Sequence, residues 1–180
     1  QATQFRNLFV NRFADELNSR FLPERVVEHI DSLAARIADE IPAHFDRWGA
    51  WSGDWVNRIN ALKNFANERP TYIKQYIRDE FGLPAYHPLN IEITDLAEGS
   101  VQVNSLTIEE NNWQGDYFQD VPITVTAYAK PGYVFSHWIG VPGTPTVPVP
   151  SIQINMESAL TIRPVFRVRD AVAVINEINY

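Results

Sequence analysis

Apolar side chains recur with helical spacing through residues 1–83. The first stripe falls on every fourth residue and comprises Phe5, Phe9, Phe13 and Leu17, with Leu8 beside it. Such a stripe predicts an amphipathic helix with one face toward a core. A second, longer stripe begins near Pro23, a residue suited to the first turn of a helix. Pro42 lies inside that pattern, so we expect a kink or break near residues 40–41.

Two further helices are predicted before residue 84. Ser52 or Asp54 can cap the first of them, because short polar side chains accept hydrogen bonds from the free N–H groups at a helix start. Pro70 is expected to begin a second, short helix that ends at Gly82 in a left-handed cap. Helices joined by short connections pack as antiparallel neighbours, so residues 1–83 are predicted to form an antiparallel helical subdomain.

After a predicted linker at residues 84–89, alternation of apolar and polar positions replaces the helical spacing. Strands are predicted at residues 90–93, 101–108, 117–118, 123–128, 133–138, 151–155 and 160–168. The loop at residues 140–150 is rich in proline, which excludes it from a central strand. Because the connections are short, residues 90–168 are predicted to form a small antiparallel all-β sandwich or open barrel, and the fold class is α+β.

The stretch 121–140 carries the clearest strand signal. Two alternating runs flank the turn residues Lys130-Pro131-Gly132, which predicts a β-hairpin with Phe135 and Trp138 as its core anchors. Tyr133 and Phe135 differ in parity from Trp138. At least one of these rings must therefore point away from the core or lie across a bulge.

The two halves differ in charge. Residues 1–83 hold 11 Lys and Arg against 12 Asp and Glu, whereas residues 84–180 hold 4 against 10. The second half has few cations to neutralise phosphates, so nucleic acid is not expected as a partner and anionic membranes are disfavoured. The chain has no cysteine, which excludes disulfides and Cys-based zinc sites. No apolar run approaches the ~20 residues of a membrane span.

No catalytic residue is predicted. His29, His44, His87 and His137 could each act as a general base, but none has a serine or aspartate at a recognisable motif spacing. Residues 108–120 are rich in oxygen ligands, yet they lack the order of a calcium loop and contain an interrupting tryptophan. This segment is therefore predicted to be a solvated loop, and neither a metal nor a cofactor is expected in the chain.

Aromatic rings in the second half leave one binding function open. Trp113, Tyr117, Tyr133 and Trp138 could offer flat faces to a sugar, since exposed aromatic patches can mark binding sites. We retain Trp113, Tyr117 and Trp138 as candidate ligand contacts. The alternative is that these rings form the core of a small β module, which is their commoner role.

Three blocks in the first half resemble the C-terminal end of the spore-coat-protein-H (CotH) kinase-like family. They are FVNRFADELNSRF (9–21), PERVVEHIDSLAARIADEIPAHFDRW (23–48) and LKNFANERPTYIKQYIRDEFGL (62–83). The resemblance implies an atypical protein-kinase fold that uses ATP and a divalent metal. The family's nucleotide- and metal-binding residues lie upstream of these helices, so none is carried over. Leu22 departs from the small capping residue that the family often has there.

The second half is similar to a bacterial surface-repeat module related to internalin-B-type B repeats. The pattern comprises residues 99–101, 117–118, 121–127, 131–140 (PGYVFSHWIG) and 154–166. This resemblance implies a small β fold of exported and cell-surface proteins, without chemistry of its own. VAVINEINY (172–180) is similar to the opening strand of bacterial lamin-tail-like domains, so residues 169–180 are predicted to begin such a domain.

Together these features predict a non-catalytic C-terminal fragment of a secreted or cell-surface bacterial CotH-type protein. The expected partners are a kinase-like lobe encoded upstream in the same protein and a protein or glycan at the β module. An exposed, partly apolar helix face is also expected, and it would favour a homodimer. The alternative function is that of a carbohydrate- or cell-surface-binding β module.

Overall fold

The computed structural model describes residues 2–49, 52–143 and 146–170. The chain divides into two compact units, which we call the helical unit (Gln1–Tyr86 with Phe118–Val121) and the β unit (His87–Tyr117 with Pro122–Tyr180). Helices precede two β-sheets along the chain, so the predicted α+β class is confirmed. The lamin-tail-like start predicted at residues 169–180 lies outside the described residues from residue 171 onward.

The helices follow the apolar stripes of the first half. They are α1 (Ala2–Leu17), α2 (Pro23–Ile37), a single 3-10 turn (Ala38–Glu40), α3 (Ile41–Trp48) and α4 (Ser52–Phe81). α2 begins at Pro23, as predicted. The predicted break is also present, because the 3-10 turn separates α2 from α3 and Pro42 lies in the first turn of α3. A proline there costs no helix hydrogen bond, since the first N–H groups have no partner within the helix.

The prediction of a separate helix at Pro70 is wrong, because Pro70 lies inside the 30-residue helix α4. A proline at this position removes one backbone hydrogen bond, to the carbonyl of Ala66. Ala66 and Ile77 are both buried and lie three turns apart on one face. The buried side of α4 therefore continues past the proline.

α4 ends as the sequence predicted. Gly82 adopts a left-handed backbone conformation with φ of 62°. The N–H of Leu83 donates to the carbonyl oxygen of Arg78 at 2.9 Å, which is the hydrogen bond of a Schellman cap. The glycine is required here because a Cβ disfavours positive φ.

The buried side of α1 shares only Leu17 with the predicted stripe. Its buried apolar residues are Val10, Ala14 and Leu17, whereas Phe5 is 69% and Phe9 40% exposed. α1 is therefore apolar on two faces, and only the one with smaller side chains lies in the core. α2 shows the same incomplete coverage, since none of its residues within Pro23–Ile37 is buried.

The strands form a five-stranded and a four-stranded sheet. They are β1 (Tyr86–Glu92), β2 (Gly99–Val103), β3 (Leu106–Ile108), β4 (Asn112–Phe118), β5 (Ile123–Ala129), β6 (Tyr133–Ile139), β7 (Thr146–Val147), β8 (Ser151–Ile154) and β9 (Leu160–Val168). The order is β4-β1-β9-β6-β7 in one sheet and β3-β2-β5-β8 in the other. The four-stranded sheet is antiparallel throughout. The prediction of a purely antiparallel module needs one correction, because β1 and β9 pair in parallel.

Several predicted segments have different bounds in the structure. β1 begins at Tyr86, inside the segment predicted as a linker (84–89). The single strand predicted at 101–108 is two strands, because Asn104 turns the chain with φ of 46°, a conformation that asparagine tolerates. The solvated loop predicted at 108–120 contains strand β4. β9 has the predicted bounds, 160–168.

The predicted hairpin at 121–140 is wrong, because β5 and β6 belong to different sheets. The turn itself forms as expected: the N–H of Tyr133 donates to the carbonyl of Lys130 at 3.0 Å, and Gly132 has φ of 90°. Pro131 followed by a glycine with positive φ defines a type II turn. Turns of this type splay the flanking strands, whereas two-residue hairpins need the primed types. The chain therefore crosses from one sheet to the other.

A β-bulge resolves the parity conflict that the sequence posed in β6. Phe135 pairs with Phe166 and His137 with Val165, so Ser136 is an extra residue. The bulge brings Phe135 toward Trp138, and their ring centroids lie 5.6 Å apart. Trp138 is fully buried between the sheets, and its Nε1–H donates to the Pro150 carbonyl at 3.3 Å.

Candidate functional site

A ridge of phenylalanine rings follows the exposed side of α1. The centroids of Phe5 and Phe9 lie 6.3 Å apart, and those of Phe9 and Phe13 lie 5.8 Å apart. Phe81, at the end of α4, packs against Phe9 with its ring centroid at 5.8 Å. Residues four apart stand on the same side of a helix, so the i, i+4 spacing of the sequence forms this ridge directly. Its outer end is open to solvent, since Phe5 is 69% exposed.

Three grooves border the ridge. One, of about 360 Å³, lies between α1, α2 and α4 and is lined by Phe13, Phe21, Val26, Phe65 and Ile73, among others. A second, of about 670 Å³, runs along α4 past Ile73, Tyr76 and Phe81. A third, of about 260 Å³, lies on the other side of α1 and includes Phe5, Leu8 and Phe21. Phe13 lines all three grooves, so they belong to one continuous surface.

We call this surface the apolar face of the helical unit. It consists of Phe5, Leu8, Phe9, Phe13, Phe21, Phe65, Ile73, Tyr76 and Phe81. Phe65 is 60% and Tyr76 54% exposed. Contiguous exposed apolar surface of this kind marks interaction sites, because single apolar side chains scattered on a surface do not form grooves.

Charged side chains form the rim of the apolar face. Arg12 pairs with Glu16 at 2.6 Å, and Arg20 approaches the same carboxylate at 3.7 Å. The guanidinium of Arg69 lies over the rings of Phe65 and Tyr76, at 5.5 and 5.8 Å from their centroids. The apolar centre and charged rim are the usual anatomy of a protein–protein interface.

The side chains of the apolar face are suited to binding a partner. Among the residues that the structure describes, no three His, Asp or Glu side chains come close enough to hold a metal ion. Nor does any described helix combine the length and apolar character of a membrane span. The four histidines belong to four different elements, α2, α3, β1 and β6. The Nδ1 of His137 lies 2.9 Å from the Oγ of its neighbour Ser136.

The structure does not bring the three predicted ligand residues together on an open surface. Tyr117 and Trp138 are fully buried, so neither ring presents a face to solvent. Trp113 is half-buried and packs against Tyr117, with the ring centroids 6.4 Å apart. Of the three, only Trp113 retains surface for a ligand.

The sequence did not identify the residues of two surface features. The sequence predicts an exposed helix face without assigning residues to it, and the stripe in α1 predicts that Phe5 and Phe9 face the core. A signal was present, because α1 carries Val10 and Ala14 on one side and phenylalanines on another, and a helix that is apolar on two sides needs two partners. The second feature is Tyr128, which is 52% exposed at the end of β5.

Comparison with known proteins links the helical unit to one family. Residues 1–73 match the family model described as CotH kinase protein. The matched segment contains α1, α2, α3 and most of α4, and it supports a CotH-related protein. Searches of curated proteins and of solved structures found no match. The internalin-B-type and lamin-tail-like resemblances therefore stay predictions.

Proposed function

We propose that the helical unit is the non-catalytic supporting subdomain of a CotH-type kinase-like protein. Its apolar face would be the surface on which the kinase-like lobe of the same protein packs. The observation that carries this proposal is the location of the face: seven of its nine residues lie within the segment that matches the CotH kinase family, and only Tyr76 and Phe81 lie beyond it.

The exposed side chains provide the energy for such packing. Fully burying a Phe or Leu side chain is worth roughly 1.5–3 kcal/mol. Phe5, Leu8 and Phe65 are each 60–70% exposed, so each has most of that contribution still available to a partner. Burial of these side chains by a lobe would contribute this free energy to binding, while the rim charges of Arg12 and Glu16 would orient the lobe.

In this proposal the helical and β units bind neither ATP nor metal themselves. The kinase-like lobe would transfer phosphate from ATP to exported or coat proteins. The β unit would serve as a spacer or interaction unit in a secreted or cell-surface bacterial protein. Purified chain incubated with labelled ATP and Mg²⁺ or Mn²⁺ should neither retain nucleotide nor transfer phosphate, and either activity would contradict the non-catalytic role.

Binding of the kinase-like lobe tests the supporting role. The lobe, expressed separately, should be retained by the immobilised chain. The double variant Phe9→Asp/Phe65→Asp should lose that binding, because it puts two charges into the grooves of the apolar face. Val56→Asp is the matched control, since Val56 is 58% exposed on α4 but lines none of the three grooves. Equal retention of the wild type and the double variant would refute docking at this face.

A second candidate function is that the β unit binds carbohydrate on a cell surface. A specific observation favours it: Tyr128 exposes its ring beside a row of hydroxyl and amide side chains on the four-stranded sheet. Retention of the full chain on polysaccharide would support this function.

A further inference from the structure

The outward side of the four-stranded sheet has an unusual composition for this acidic half of the chain. Strand alternation places one layer of side chains there: Ser100, Gln102, Thr107, Thr124, Thr126, Tyr128, Ser151 and Gln153. In this described layer every side chain bears a hydroxyl or an amide, and none is charged at neutral pH. We call this layer the neutral face.

The strand register arranges the neutral face in rows. Thr126 lies opposite Gln102 on one side and Ser151 on the other, and Gln102 in turn lies opposite Thr107. This row crosses four strands, and strands about 4.8 Å apart give it a length of ~14 Å. Tyr128 is in the adjoining row, opposite Ser100.

The five-stranded sheet provides an internal contrast. Its corresponding outward residues include Glu92, Arg163 and Arg167, and Arg163 approaches Glu92 at 3.8 Å. Apart from the end residues Tyr86 and Phe118, both sheets belong to the β unit, and both have a solvated side. The outward face of the five-stranded sheet therefore carries charged side chains, whereas the neutral face of the four-stranded sheet does not.

Hydrogen bonds hold several groups of the neutral face in fixed positions. The hydroxyls of Thr126 and Ser151 are 2.9 Å apart. The Gln102 side-chain Nε2 donates to the carbonyl oxygen of Asn104 at 2.8 Å, which leaves its amide oxygen as an acceptor. Groups ordered before binding lose less conformational entropy when a ligand arrives.

We propose that the neutral face binds a neutral polysaccharide, an inference that rests on the second candidate function. Sugar hydroxyls can pair with the Ser, Thr and Gln groups of the central row, and the C–H side of a sugar ring can stack on Tyr128. An anionic ligand would find no cation among these side chains. An apolar protein surface would strip water from the hydroxyls and amides without replacing their hydrogen bonds.

Affinity electrophoresis of the full chain tests the proposal. The gels contain a β-1,3-glucan, a xyloglucan or a galactomannan, with polygalacturonate and heparin as charged polysaccharides. The wild-type chain should be retarded by at least one neutral polysaccharide and by neither charged one. Tyr128→Ala should weaken that binding by about tenfold, the factor that corresponds to 1.4 kcal/mol. Tyr128→Phe should keep it, because the ring remains, and Gln102→Ala should weaken it through loss of the amide.

Three controls make the outcome decisive. Tyr72→Ala removes another half-exposed tyrosine, on α4, and should leave retardation unchanged. Trp113→Ala tests the residue predicted from sequence, and its binding should also persist. Unfolding midpoints establish that each variant is folded.

If Tyr128→Ala and Gln102→Ala leave polysaccharide binding intact, the neutral face is not the binding surface, although the β unit still binds carbohydrate. Absence of retardation in every neutral gel overturns both, and equal retardation by charged polysaccharides overturns the neutral ligand.

Discussion

In the β unit, alternate residues of the central strands are fully buried, whereas α2 in the helical unit has no buried residue in its 15 positions. Ile123 and Val125 of β5 are both 0% exposed. Leu33 and Ile37, on the apolar stripe of α2, are each 47% exposed. Both elements have a clear amphipathic pattern, but only the strand has its apolar side covered by the described chain.

This difference shows that an amphipathic pattern predicts burial of an apolar face but does not identify the surface that covers it. In the β unit, each of the two sheets covers the apolar side of the other. The helices cover only part of their apolar surface, and the remainder forms grooves around the Phe13 side chain. We therefore interpret the β unit as self-sufficient and the helical unit as a subdomain completed by a partner.

The largest effect is expected from Trp138→Ala in the β unit. The substitution empties the position of the largest fully buried side chain and removes its hydrogen bond to Pro150. The free energy of unfolding should fall by about 3–5 kcal/mol, as for other buried aromatic truncations. Urea denaturation followed by circular dichroism measures it. A loss below about 1 kcal/mol would show that the β unit is not the better-packed one.

A smaller loss is expected from Gly99→Ala, because a Cβ at residue 99 would overlap the ring of Phe166 in the opposite sheet. Overpacking of this kind costs about 1–3 kcal/mol. The double variant Gly99→Ala/Phe166→Leu should recover part of the loss, since the smaller side chain makes room. A double-mutant cycle of unfolding free energies provides the test, and strict additivity would contradict the contact.

Substitution on the apolar face should change association more than stability. Phe5→Ser/Leu8→Ser should alter the free energy of unfolding by no more than about 0.5 kcal/mol, because both side chains are already about 70% exposed. The wild-type chain is expected to self-associate through this face, and the variant should be monomeric in light scattering. A wild-type mass of 20.6 kDa would count against a homodimer.

The smallest effect is expected at the rim. Arg12→Ala removes a partly exposed i, i+4 ion pair with Glu16, which is worth about 0.3–0.5 kcal/mol and is weakened by salt. Unfolding free energies at low and at 1 M salt should therefore differ between wild type and variant only at low salt. A difference that persists at high salt would point to lost packing of the Arg12 stem instead of lost charge.

Local rules predicted much of the fold. Proline at a helix start, glycine at a helix end and alternation in a long strand are short-range signals, so Pro23, Gly82 and β9 lie where the sequence placed them. The parity of Phe135 and Trp138 leaves two alternatives, an outward ring or a bulge, and the structure has the bulge in β6.

The errors involve longer-range packing. The cost of a proline inside a helix predicts that a new helix begins at Pro70, but α4 runs through this residue and has buried residues on both sides of it. The turn at Pro131 and Gly132 was predicted correctly, yet which sheet each flanking strand joins depends on partners far along the chain. The candidate site was missed in detail for the same reason: periodicity identifies a stripe such as that of α1 but not which of two apolar sides the chain itself covers.

Native-state hydrogen exchange of the chain, alone and with the separately expressed kinase-like lobe, tests the central claim most directly. The claim is that the helical unit is completed by that lobe and the β unit is not. Amides of α1, α2 and α4 should exchange faster than those of β5 and β9 in the chain alone, and should gain protection when the lobe is added. Helical amides that are as protected as the strands without the lobe, or that gain nothing with it, would contradict the claim.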